Sequence, residues 1–203
     1  MQAVESQTLI LYHTDLRDEW PEAAARALRA RLRYAKRLAT GAADAQARAS
    51  LAGIALALRA LAQVAGRAVT PEEILFAPGE KPRLATGTAG CNGSSCDFSI
   101  SHSGPWVGCV AVRGGRVGFD LEMGSGARID RWVAREATLK ACGAGLAAFH
   151  EVQLAGAQAS CRGTQWYAHA AQWFPGAVAC VMSDRAARGL RTYAVPLAEL
   201  FAP

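Results

Sequence analysis

Three stretches of this sequence carry side chains whose types and spacing suit phosphate chemistry. Residues 98–104 read Phe-Ser-Ile-Ser-His-Ser-Gly. Ser101, His102 and Ser103 can each donate a hydrogen bond, and the glycine lets the backbone approach an anion. Residues 117–122 read Val-Gly-Phe-Asp-Leu-Glu. In a strand, side chains alternate, so Asp120 and Glu122 share one face, roughly 6–7 Å apart along the chain. Two carboxylates on one face repel unless a cation lies between them. Hard oxygen donors at that spacing suit Mg²⁺, which takes one or two protein carboxylates and completes its shell with phosphate oxygens and water. In the third stretch, Trp132 to Lys140, Glu136 and Lys140 stand at i and i+4 on one helical face. Glu136 is then a third oxygen donor and Lys140 a cation for a phosphate. Each stretch also has an ordinary reading: a turn histidine, a solvated acidic strand end, an intrahelical ion pair. What phosphoryl transfer mainly requires is positioning and charge neutralisation, and these residue types supply both.

The elements that must position these groups follow from periodicity and turn chemistry. Thr8 to His13 reads as a strand. Asp18 or Glu19 with Pro21 starts a helix whose apolar stripe is Leu28, Leu32, Ala35 and Leu38–Ala39, with Gly41 as its stop. Arg26, Arg29, Arg33 and Arg37 fall on its other faces. A second helix is expected from Asp44 to Ala65, with Arg48 near its start and able to face a ligand. Thr70-Pro71-Glu72-Glu73 is a capping box. Beyond it, Pro78-Gly79 and Lys81-Pro82 force an extended turn that presents Lys81 and Arg83. Gly87 to Ser95 reads as a Gly/Ser-rich loop. Phe98 to Ser101 is a strand, and Gly114-Gly115 predicts a hairpin between Trp106–Val112 and Arg116–Glu122. A third helix is expected from Asp130, as N-cap, to Cys142, closed by Gly143 or Gly145. After Leu146, strands are expected at Gln165–Trp173, Ala177–Met182 and Thr192–Val195.

Composition bounds the class. The chain has 203 residues, about half of them hydrophobic, and 19% charged, which is globular composition and long enough for a proper core. Arg and polar residues break the apolar runs before bilayer length, and the first residues lack a basic region and cleavage site, so the expectation is a cytoplasmic protein without membrane contact. The six cysteines form no CxxC pair, and buried free thiols fit better than a disulfide framework or zinc site. The net charge is +5, with nine basic residues and one acid, Asp44, between Ala23 and Arg67. That segment has Tyr34 as its only aromatic, which favours a small polyphosphate ligand over nucleic acid.

The blocks KPRL, FSISHS, VGFDLE and WVAREATLKACGAGL, in this order, resemble the signature blocks of the 4′-phosphopantetheinyl transferases of the Sfp type. The likeness covers roughly Thr70 to Leu146. It implies an α+β fold of two pseudo-symmetric lobes, each a small antiparallel sheet packed with helices, with a ligand cleft between them. Residues 1–115 would form the first lobe and 116–203 the second. The near-repeat of Val107 to Ala111 (VGCVA) in Val178 to Met182 (VACVM) fits one such strand in each lobe. It further implies transfer of phosphopantetheine from coenzyme A to a serine of an acyl or peptidyl carrier protein, with Mg²⁺, by a monomer. Asp120, Glu122 and Glu136 would hold the metal, and Glu136 would deprotonate the serine. Lys140, His102 and Ser101 would contact the coenzyme's phosphates, and Lys81, Arg83, Arg48 and Arg31 would grip its 3′-phosphoadenosine end. The alternative is a non-catalytic module that binds coenzyme A or a carrier. Three departures bear on this choice. Only Met123 to Arg131 link the carboxylate strand to the helix, Ser99 stands where an asparagine is common, and Arg135 replaces a lysine. Carrier recognition is the function these changes affect most.

Overall fold

In the computed structural model, which describes residues 7–32, 45–77, 80–85 and 95–201, strands and helices do not alternate regularly, and the fold is α+β. The elements in order are β1 (Thr8–Asp15), α1 (Glu22–Arg31), α2 (Ala45–Ala65), a 3₁₀ turn at Pro71–Glu73, β2 (Ile74–Leu75), β3 (Arg83–Leu84), β4 (Cys96–Ser103), β5 (Trp106–Arg113), β6 (Val117–Met123) and α3 (Ala127–Cys142). A second 3₁₀ turn, Leu146–Glu151, leads into β7 (Gln153–Ala155), β8 (Gln158–Cys161), β9 (Thr164–Ala170), β10 (Ala177–Ser183), β11 (Gly189–Ala194) and α4 (Leu197–Leu200).

Two larger sheets carry the architecture, in the orders β11-β1-β5-β4 and β6-β10-β9-β8-β7, with β2 and β3 pairing apart. Alternation along each strand divides three apolar clusters. Phe98, Val107, Cys109 and Ala111 pack on α2. Leu9, Leu11, Val110 and Val112 of the first sheet meet Phe119, Leu121 and Val181 of the second. On the second sheet's other side, Trp166 and Met182 pack with Ala137, Leu139 and Ala141 of α3. Each helix therefore covers one sheet, while the two sheets share the middle cluster.

At Gly114-Gly115 the structure corrects the expected hairpin. β5 and β6 do not pair; the glycine link carries the chain from one sheet to the other. β6 instead runs alongside the free edge of β4, and side chains stand in for ladder carbonyls. The backbone N–H of Val117 donates to Asp97 Oδ2 (2.8 Å), that of Phe119 to Ser99 Oγ (3.0 Å) and that of Met123 to Ser103 Oγ (3.1 Å). Polar residues at alternate positions of β4 thus join the sheets edge to edge. Their short oxygens satisfy backbone donors that would otherwise be buried without partners.

Other boundaries shift for local reasons. α1 stops at Arg31, because Leu32 turns extended (ψ 121°) and is buried in the core; its continuation to Gly41, and Asp44 as the start of α2, lie outside the described residues. So do Pro78-Gly79, Cys91 and most of the Gly87–Ser95 loop. The capping box forms as read, with Thr70 N–H donating to Glu73. α3 begins after Gly126 (φ 102°), so Asp130 lies inside its first turn instead of capping it, while Gly143, left-handed at φ 70°, ends it. β7 and β8 carry no apolar alternation strong enough to read from sequence. Residues 107–111 and 178–182 lie in β5 and β10, an interior strand of each sheet. A division at 115/116 separates β5 from β6, yet β11 and α4 return to the first half: β11 pairs parallel with β1, and Leu197 and Leu200 enter the α2 cluster. α2 is long and apolar enough to cross a bilayer, contrary to the reading of its sequence, and its apolar face is buried against β4 and β5.

Candidate functional site

The site forms where α3 crosses β6 beside the edge of β4. On β6, Phe119 and Leu121 point into the shared cluster, which turns Gly118, Asp120 and Glu122 toward α3. Gly118 is what allows close approach: a Cβ there would lie 1.9 Å from the Ala137 carbonyl oxygen and 2.4 Å from the Ala141 nitrogen. With that side chain absent, α3 seats its Glu136–Lys140 edge over Asp120.

Asp120 is 3% exposed and lies in a closed triangle of polar groups. Lys140 Nζ is 2.6 Å from its Oδ1, Ser101 Oγ donates to the same oxygen at 2.8 Å, and Lys140 also donates to Ser101 Oγ at 3.0 Å. The ammonium supplies the counter-charge that a buried carboxylate needs. Glu122, one pleat further on, is exposed, and Glu136 is half-buried. Burial raises the Glu136 pKa above the usual carboxylate value; the charges on Asp120 and Glu122 add to the rise and Lys140 offsets part of it. Glu136 therefore lies within the field of both neighbouring carboxylates and of Lys140.

His102 faces the opposite side of β4, toward the start of α2, where the Gln46 amide nitrogen lies 3.2 Å from its Nε2. Burial, reinforced by Lys140, lowers the His102 pKa.

A cavity of about 460 Å³ opens beside these groups. Its walls are the Glu80–Pro82 loop, Ser99 and Ile100 of β4, Glu136, Leu139 and Lys140 of α3, and the Gly143–Leu146 turn.

Of the residues singled out from sequence, Ser101, Asp120 and Lys140 bond to one another here, with Glu122 and Glu136 close enough to share their charges, while His102 lies nearby but points to the other side of β4. The four intended for the far end of a ligand have other surroundings. Lys81 reaches the cavity wall, but its three N–H bonds are all used: Asp97 accepts at 2.8 and 2.7 Å and the Val117 carbonyl at 2.6 Å. Burial pulls its pKa down and Asp97 offsets the fall. Lys81 is a fastener of the β4–β6 seam. Arg31 is ion-paired with Glu72 at 3.0 Å on a separate groove between α1 and α2, where it holds the Glu72 pKa at about 2. The Arg48 guanidinium stacks on Trp20, 4.6 Å from the ring centroid, with its Nε buried and unpartnered. Arg83 is exposed on β3.

Asp97, Ser99, Gly118 and Gln46 were missed. The first two could have been found, since Asp97-x-Ser99-x-Ser101-x-Ser103 is a period-2 polar row in an otherwise apolar strand. Among the described residues, no three acids, histidines or cysteines gather closely enough to form a ready metal cage. The donor chemistry still fits a hard divalent cation that uses one or two carboxylates plus phosphate oxygens. The five described cysteines are free thiols; burial raises Cys161 to about 11 and Cys180 to about 12, which leaves them unreactive. No known family model matches the chain, and neither does any curated protein.

Proposed function

We propose that this chain is a phosphopantetheinyl transferase, which moves 4′-phosphopantetheine from coenzyme A to a serine hydroxyl of an acyl or peptidyl carrier protein and releases 3′,5′-ADP. The observation that carries the reading is the meeting of Ser101, Asp120 and Lys140, drawn from three separated sequence blocks, beside a cavity that Glu136 and Lys140 line. Its motif order, with KPRL, FSISHS, VGFDLE and WVAREATLK in succession, supports the same assignment. In this reading the serine oxygen bonds to the phosphorus that bears the pantetheine arm, and the phosphoanhydride bond to the leaving nucleotide breaks. Glu136 takes the serine proton, a role its raised pKa favours. Lys140 would pair with the pyrophosphate oxygens, and Ser101 and His102 would contact them once their present bonds to Asp120 and Gln46 are exchanged for the phosphate. Asp120 and Glu122, with Glu136 beside them, would hold Mg²⁺, which would supply charge neutralisation at the pyrophosphate.

The deciding experiment is intact-mass spectrometry of purified apo carrier proteins incubated with the protein, coenzyme A and Mg²⁺. One phosphopantetheine should be added, and the gain should vanish with EDTA, Asp120→Ala or Glu136→Ala while circular dichroism is unchanged. Full activity in either variant would remove the metal assignment.

A second reading, a non-catalytic module that holds coenzyme A or a carrier, is favoured by one observation. Lys140 closes on Asp120, the most buried of the three carboxylates, and only Gly124-Ser125-Gly126 separate β6 from α3. Saturable coenzyme A binding with no mass gain on any carrier would select it.

A further inference from the structure

Three contacts seat α3 on one side of β6, and one of them belongs to a residue outside the proposed chemistry. Alternation puts Arg116, just before β6, on the same side as Gly118, Asp120 and Glu122. Gly118 lies under Ala137 and Ala141, and Asp120 meets Lys140. The Arg116 guanidinium reaches the end of the helix, where its Nη2 donates to the Cys142 carbonyl at 2.5 Å. That carbonyl is one of those a helix end leaves without an intrahelical partner. The same guanidinium lies over the fully buried ring of Trp166, 5.1 Å from its centroid. Stacking on a ring packed in the core orients the planar fork, which a lysine ammonium does not reproduce. Glycine-bearing links flank the helix, Gly124-Ser125-Gly126 before it and Gly143-Ala144-Gly145 after it. Such links impose little direction on the chain, so α3 is located by what it touches.

We infer that Arg116 is a positioning residue, which anchors the last turn of α3 and thereby holds the Lys140 ammonium on Asp120 and Ser101. Lys140 stands two residues before Cys142, about 3 Å along the helix axis, so the anchor acts on the same turn. Both Lys140 bonds cross to strands, to Asp120 Oδ1 on β6 at 2.6 Å and to Ser101 Oγ on β4 at 3.0 Å. Hydrogen bonds of that length are lost when the helix end shifts by about 1 Å. The Gly143–Leu146 turn just beyond the anchor is a wall of the cavity, and its place depends on the same contact. The catalytic consequence rests on the transferase reading, to which it adds a residue that sets the geometry at the phosphates without touching them.

The test is Arg116→Ala, labelled with N-hydroxysuccinimide acetate without substrates and read lysine by lysine by peptide mass spectrometry. Lys140 should acylate several times faster than in the wild type, because two acceptors no longer hold its ammonium. Lys81, bonded to Asp97 and Val117 away from the helix end, should not speed up, and Tm should fall by only about 2–4 °C. An unchanged Lys140 rate overturns the role, since the helix end then holds without the arginine. A rise shared by Lys81 also overturns it, since the loosening is then general. If Arg116→Ala folds poorly, Arg116→Lys, which keeps a cation but not the planar fork, is read by the same criteria with a smaller rise expected. In the transfer assay the variant should lower kcat roughly tenfold and leave the carrier KM within about twofold. An unchanged kcat overturns the role and leaves the transferase reading standing. A wild type that modifies no carrier removes that reading, and the labelling alone then decides the role of Arg116.

Discussion

At the scale of single residues, Lys81 and Glu136 show how burial decides a role. Lys81 and Asp97 are both mostly buried, and the lysine's three hydrogens are spent on the β4–β6 seam. Lys81→Met leaves Asp97 charged and unpaired, which costs about 3 kcal/mol. At this size that is a fall of roughly 6–12 °C in Tm, readable by thermal denaturation. A variant with native Tm and weakened coenzyme A binding would instead make Lys81 a ligand group. Glu136 gives a pH test. Its folded-state pKa lies above its unfolded value, so the folded protein holds that proton more tightly. Its contribution to stability falls as pH rises from the ordinary carboxylate range through the raised value, and stays low above it. In metal-free buffer, Glu136→Gln is expected to be more stable than the wild type at pH 8 and equal to it near pH 4, by urea titration. A less stable variant at pH 8 would contradict this.

At the scale of elements, the distance between α3 and β6 governs the site. Any side chain at Gly118 meets backbone atoms of α3 and not a flexible side-chain tip, so the helix itself must move. Gly118→Ala should cost about 2–3 kcal/mol by overpacking. It should also suppress transfer by shifting Glu136 and Lys140 away from Asp120. Urea denaturation and the mass assay measure the two effects separately. Wild-type values in both would mean that α3 tolerates displacement. The β4–β6 seam belongs to the same scale. It seats Ser101 opposite Asp120 because Asp97, Ser99 and Ser103 hold the two strands in register.

At the scale of the whole molecule, the chain's end completes its beginning. β11 pairs with β1 from Thr8 opposite Gly189 to His13 opposite Ala194, and Val195, Leu197 and Leu200 fill the cluster under α2. Removing residues 188–203 exposes the edge of β1 and opens that core, so the truncated chain is expected to lose cooperative unfolding by circular dichroism. A sharp transition at the native midpoint would show that the first sheet does not need its return strand.

Local pattern alone determined much of this protein. The apolar periodicity of residues 45–65, the capping box at Thr70 and the alternation that puts Asp120 and Glu122 on one face all act within a few residues, and the structure has each of them. The i, i+4 pair Glu136 and Lys140 is legible for the same reason. Only the tertiary structure decided that Gly114-Gly115 is a crossing between sheets, because two glycines permit a hairpin or a crossing equally well. The choice was made by side chains on β4 that capture the backbone of β6. Pairing partners were likewise out of reach: Lys140 closes on Asp120, Lys81 on Asp97 and Arg31 on Glu72 across 20, 16 and 41 positions. A charged residue's role depends on which opposite charge folding brings to it, and sequence spacing does not record that distance.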